Sequence, residues 1–233
     1  MSKGWLARRF DENEDFEDAN SVMLAFRTVK SMEGEHWMNL WAARLTRRYG
    51  DVAPGGQMAH AELLFALDRN EYVKASVIKK SYGGKKPDGS IIWKPGGVHF
   101  AKTSKSEWAS KYVFVKFHAR RSSIKKMVDF LSENDSMPFN FSGYVANLWL
   151  PGGWGLRRWR EGIVPRKYFC TELLVAALQC LSHYEGSHRE YLHWTNQIWR
   201  INAATSNPNL LYRKLKQSGA VFDTVPLLSD LRI

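Results

Sequence analysis

The sequence predicts one α+β domain, a small antiparallel sheet or half-barrel packed against helices, over residues 21–233, preceded by a polar arm at 1–20. Three observations point there. Tyr112–His118 (YVFVKFH) alternates apolar and polar residues, as a strand with one buried face does. Met58–Leu67 (MAHAELLFAL) and Glu71–Ile78 (EYVKASVI) flank the turn-forming Asp68-Arg69-Asn70 like the arms of a hairpin. Thr171–Leu181 (TELLVAALQCL) is apolar nearly all round, which marks a buried helix.

The elements follow in order. Residues 11–18 (DENEDFED) are acidic and suit an arm. In His36–Tyr49, Trp37, Leu40, Trp41 and Leu45 fall on one helical face; Gly50 and Pro54-Gly55-Gly56 then stop the helix and turn the chain. The first hairpin arm contains good helix formers, but the turn signals on both sides assign it to a strand. Residues 79–97 read as a glycine-punctuated excursion around a short strand, Ile91–Trp93. Ser122-Ser123 are placed to cap a helix reaching about Leu131, with Ile124, Met127, Val128 and Leu131 on one side. Residues 136–156, rich in aromatics and glycine, have room for a short helix near Tyr144–Trp149. Ser206-Asn207-Pro208-Asn209 is a start signal for a helix over Leu210–Gln217, closed by Gly219.

Composition excludes several classes. With 44% hydrophobic and 24% charged residues, the chain has ample apolar surface to bury, so disorder is not its main state. The two cysteines, Cys170 and Cys180, are too few for a disulfide framework or a multi-cysteine zinc site, and too far apart for a CxxC pair. They suit a reducing, cytoplasmic or other intracellular setting. Met1–Arg9 meets charge before any long apolar run, unlike a secretory signal. The longest uncharged stretch, 136–156, carries Pro138 and Pro151 and makes no spanning helix.

The net charge is +11, with basic doublets at Lys79-Lys80, Lys85-Lys86, Arg120-Arg121, Lys125-Lys126, Arg157-Arg158 and Arg213-Lys214. Such doublets suit a phosphate backbone or an anionic surface as partner. No helix-turn-helix, zinc-finger or RNP-type pattern accompanies them, and no carboxylate cluster marks a two-metal nuclease.

Cys170 stands where the buried helix begins, so its sulfur feels the positive end of the helix dipole, which favours a thiolate nucleophile. Such a nucleophile needs a base. Of the seven histidines, His60 is best placed, in the middle of an otherwise apolar strand. His183, His188 and His193 lie five apart, which matches neither one helix face nor a metal spacing.

The order His60, Cys170, Ser206–Leu211 resembles the circularly permuted papain-like cysteine hydrolases of the NlpC-type superfamily, in which the His strand precedes the Cys helix. Met58-Ala59-His60-Ala61-Glu62-Leu63 is similar to the family's His strand, and Tyr168-Phe169-Cys170-Thr171-Glu172-Leu173 to its aromatic-Cys-Ser/Thr-Glu-Leu helix start. Ser206-Asn207-Pro208-Asn209-Leu210-Leu211 is similar to its C-terminal Ser-Pro cap, and Pro138-Phe139-Asn140-Phe141 to a loop of large-DNA-virus members.

The resemblance implies a permuted papain-like fold and a thiol hydrolase or acyltransferase. Cys170 would be the nucleophile, His60 the general base, and a backbone N–H beside Cys170 the oxyanion donor. The family's third polar group usually sits on the strand after the His strand, which here offers Lys74 and Ser76. Ser76 is one candidate to orient the ring; Glu62, two residues from His60 and so on the same strand face, is the other. Glu172, in the first helical turn, is expected to serve the helix start and not the chemistry. A peptide, isopeptide or lipid acyl substrate is implied, with no metal or organic cofactor. The alternative is a catalytically weak or inactive structural or binding protein on the same fold. In a virus particle it would use its basic surface to hold nucleic acid or capsid proteins.

Overall fold

A computed structural model describes residues 5–11, 21–29, 44–45, 58–66, 72–103, 112–144, 167–185, 198–203 and 206–217. Its elements run α1 (Trp5–Asp11), β1 (Ser21–Thr28), β2 (Met58–Ala66), β3 (Tyr72–Lys85), β4 (Ile91–Thr103), β5 (Tyr112–His118), α2 (Arg121–Glu133), α3 (Cys170–Glu185) and α4 (Pro208–Gln217). The strands form one five-stranded sheet in the order β4-β3-β2-β1-β5, with every neighbouring pair antiparallel. The architecture is α+β, a small antiparallel sheet with helices.

β1 occupies the position next to β2 and β5 and has no counterpart in the sequence reading. Its residues (SVMLAFRT) are apolar on both faces, so no period of two betrays it. Val22, Leu24 and Phe26 join Leu63, Phe65, Val73, Ala75, Val115 and Phe117 in the main core. Helices α2 and α3 close that core through Ile124, Met127, Val128 and Leu131 on one side and Leu174, Val175, Leu178 and Leu181 on the other. Met23, Ala25, Leu64, Tyr72 and Phe114 form a second, smaller buried cluster. The register Met23↔Leu64 and Ala25↔Phe114 puts them on the opposite sheet face from the main core.

Several expectations are corrected. Within the 1–20 arm, residues 5–11 form a helix, and Leu6 and Phe10 are buried in the main core. Arg121 stacks its guanidinium 4.2 Å from the Phe10 ring centroid, holding α1 against α2. The pair Leu6 and Phe10, four apart, is an apolar stripe that the acidic run after it obscures. Residues 79–97 are also not a loop. β3 and β4 continue through them as one long hairpin, paired out to Lys85↔Ile91, and only residues 86–90 turn.

The glycines of that stretch are features of the strands themselves. The β3 register slips between Tyr82 and Gly84, where Gly83 sits in a bulge. Gly97 lets β4 pass against the 134–138 turn: a Cβ there would lie 2.4 Å from the Met137 carbonyl oxygen. Finally, α2 is capped by Arg120 in extended conformation with no side-chain cap bond, while Ser123 is buried inside the helix.

The helix expected over 36–49 lies outside the described residues apart from 44–45, which are helical. The helix near 144–149 likewise lies outside them, although residues 141–144 form a helical turn.

Candidate active site

The site is assembled by the C-terminal Ser206-Asn207-Pro208-Asn209 segment. The Asn207 side-chain oxygen accepts from the Leu210 N–H at 2.9 Å and so caps α4, with Pro208 in the first turn. Asn209 then grips β2: its Oδ1 accepts from the Met58 N–H at 2.8 Å and its Nδ2 donates to the Met58 carbonyl at 3.1 Å. Across the same segment, the Thr171 hydroxyl donates to the Ser206 carbonyl. One short segment therefore ties the first residue of the His60 strand to the first turn of the Cys170 helix.

The strand is irregular just before the histidine. Arg27 pairs with His60, but Thr28 pairs with Met58, so Ala59 is an extra residue on β2. Such a bulge re-aims the next side chain. The His60 ring hydrogen-bonds to Cys170, the buried first residue of α3, and its Nε2 lies 3.4 Å from Glu62 Oε1. Lys74, reaching across from β3, places its ammonium 3.5 Å from the same carboxylate oxygen. Glu62 is buried at 4% exposure, so this carboxylate sits out of bulk water between two cations or potential cations.

The electrostatics follow from that line of groups. Burial alone would lower the His60 pKa; hydrogen bonds to Cys170 and Glu62, and the negative charges of both, outweigh it and raise the value to about 10. Burial would raise the Glu62 pKa, but the His60 hydrogen bond and charge, the Lys74 ammonium and the Tyr112 hydroxyl bring it down to about 2. The favoured state pairs an imidazolium at His60 with the Glu62 carboxylate, next to Cys170.

Of the two candidates for the third group, Glu62 touches the His60 ring. Ser76 is buried on β3 opposite His99 and is not among the groups acting on that ring. Glu172 serves the helix start: its Oε2 accepts from the Phe169 N–H at 3.3 Å and from Asn140 Nδ2 at 3.1 Å.

Asn140, which the sequence reading placed in the Pro138–Phe141 stretch without giving it a role, is a positioning residue. Its N–H donates to the Tyr168 carbonyl at 2.7 Å, and its Oδ1 accepts from the Gly143 N–H at 3.0 Å and the Ser142 hydroxyl at 3.3 Å. A Cβ on Gly143 would lie 2.3 Å from the Asn140 amide nitrogen, so this turn needs glycine. The turn ends at Tyr144, whose ring meets Phe139 at 5.8 Å. Burial first, and then the negative charge at Cys170, push the Tyr144 phenol upward, so it keeps its proton and remains a donor near the sulfur. The signal available in the sequence was the Pro138–Phe141 stretch followed closely by Gly143.

Among the described residues, no group of three or more His, Cys, Asp or Glu side chains is arranged to hold a metal ion, and no helix is long and apolar enough to cross a membrane. No family model, curated protein or solved structure matches the chain.

Two outcomes are expected. Asn209→Ala leaves both buried backbone groups of Met58 without partners and should lower unfolding free energy by about 2–4 kcal/mol in urea titrations. The second concerns pH. A raised histidine pKa adds stability that is complete below the ordinary 6.5 and lost as pH rises through about 10. The lowered Glu62 adds stability that is complete above 4.5 and lost as pH falls through about 2. Wild-type stability should therefore fall between pH 6.5 and about 10, and His60→Gln should flatten that decline.

Proposed function

We propose that the protein is a thiol hydrolase or acyltransferase of the permuted papain-like type, working through an acyl-enzyme on Cys170. The observation that carries this reading is the line Cys170–His60–Glu62, in which one imidazole bonds both a thiol at a helix start and a buried carboxylate. Nucleophile, base and orienting group are the three parts that acyl transfer to sulfur requires.

In the first half-reaction, the Cys170 thiolate attacks the acyl carbon and forms the C–S bond. The developing oxyanion faces the first-turn N–H groups of α3, which have no intrahelical carbonyl to satisfy. His60 gives its proton to the leaving nitrogen or oxygen as that bond breaks. In the second half-reaction, neutral His60 takes a proton from water, or from an acceptor alcohol or amine. The incoming oxygen or nitrogen displaces the thiolate, which restores the ion pair. Glu62 keeps the ring oriented and balances its charge; Lys74 keeps Glu62 ionised. Nothing in this sequence of steps uses a metal or an organic cofactor.

The test compares Cys170 with Cys180 as an internal control, because burial and the charges of Glu133 and Asp129 raise the Cys180 thiol to about 11. Native protein is alkylated with iodoacetamide across pH, and each site is followed by peptide mass. Cys170 should alkylate well ahead of Cys180 at neutral pH, and His60→Ala should slow it by about tenfold or more there. A Cys170 that reacts no faster than Cys180 in native protein, or whose rate ignores the loss of His60, would overturn the proposal.

A further inference from the structure

The hairpin formed by the outer halves of β3 and β4 is not needed to build the site. β2 pairs with β3 only from Leu63↔Ala75 to Ala66↔Tyr72, while β3 and β4 continue pairing with each other to Lys85↔Ile91. From Ile78 to Lys85 the two-stranded ribbon runs about 23 Å at 3.3 Å per residue.

Its chemistry is one-sided. Between residues 79 and 94 stand Lys79, Lys80, Lys85, Lys86 and Lys94, and the single acid is Asp88. That acid is tied into the turn, where Asp88 Oδ1 accepts from the Ser90 N–H at 2.8 Å. Lys85 and Lys86 are exposed. So are Ile91 and Ile92, at 47% and 39%, and as adjacent strand residues they point to opposite faces of the ribbon. Like charges gathered on a narrow ribbon repel one another, and a β-branched apolar pair left in water gains nothing for the fold. Both features fit a polyanion that also offers an apolar surface.

Two polyanions offer both features, a bilayer and a nucleic acid. The tip, Lys86-Pro87-Asp88-Gly89-Ser90, is polar and exposed, and bonding to Ser90 keeps the Asp88 carboxylate ionised. A charged tip does not enter hydrocarbon, and a ribbon with one isoleucine on each face cannot lay both on a flat membrane. A groove encloses a ribbon on both sides. The DNA major groove, about 12 Å wide, admits two antiparallel strands, whereas the deep, narrow major groove of duplex RNA does not.

We infer that the β3–β4 ribbon is a binding arm for duplex DNA, with its lysines on the phosphates and Ile91 and Ile92 available to the apolar thymine methyls in the groove. This arm is separate from the Cys170 site and stands or falls without it.

The test measures anisotropy of a labelled DNA duplex of about 20 base pairs over a range of NaCl concentrations. Wild type is compared with Lys79/Lys80/Lys85/Lys86→Gln and with a charge-matched control, Lys116/Lys125/Lys126/Lys216→Gln. Thermal melting verifies that each variant is folded, and Cys170 alkylation verifies that the site is intact. The ribbon variant should bind at least about tenfold more weakly at moderate salt and flatten the log K against log [salt] slope by roughly 3 to 4, about 0.9 per phosphate contact. The control should change little. Ile91→Ser/Ile92→Ser should weaken binding without altering the slope. Equal losses in the two lysine variants would assign binding to diffuse charge and overturn the inference. So would tighter binding to phosphatidylserine vesicles or to the unpaired strand than to the duplex.

Discussion

Everything at the site depends on the two hydrogen bonds between Asn209 and Met58. Met58 opens the strand that bears His60, and Asn209 opens the helix that follows Ser206. The Ser206 carbonyl in turn receives the hydroxyl of Thr171, the residue after Cys170. A backbone N–H and C=O at a buried strand start must find partners, and an Asn side chain satisfies both at once with a geometry that fixes distance and angle. Residues 151 positions apart are thereby held in register, and a thiol and an imidazole from distant parts of the chain meet. A second staple, Asn140 to Glu172, fixes the helix start as well.

The charge pattern explains why a buried carboxylate is tolerated next to the pair. Glu62 would be costly at 4% exposure without compensation. His60 on one side and Lys74 on the other supply it. Lys74, on β3, lies 3.5 Å from Glu62 Oε1 and helps to keep that carboxylate ionised.

The sequence disclosed those parts of the fold whose pattern is local. β5 alternates, α3 is apolar throughout, and Asn207-Pro208 starts a helix; each declares itself within a few residues. The hairpin β2–β3 was legible because turn residues overrode the helix propensity of Ala59-His60-Ala61-Glu62-Leu63. What stayed hidden was set by tertiary context. β1 is apolar on both faces because both are covered. The glycines at 83–84 and 96–97 mimic loop punctuation, but one pair marks a bulge and the other a close passage beside Met137. At the site, Cys170 and His60 were named from position together with the resemblance to permuted papain-like hydrolases, and Glu62 as one of two candidates for the third group that the resemblance implies. Asn140, Asn209 and Tyr144 were not given roles, because an amide that bonds backbone 151 residues away leaves no periodic trace.

The central claim is that His60 is an imidazolium, bonded to the Glu62 carboxylate and to Cys170. Nitrogen-detected NMR of the ¹⁵N-labelled His60 ring across pH tests it most directly. The account predicts that the ring stays doubly protonated until pH approaches about 10, and that Cys170→Ala brings its titration down markedly, since the hydrogen bond to the sulfur is gone. A His60 ring that titrates near its ordinary 6.5 in both proteins would contradict the account.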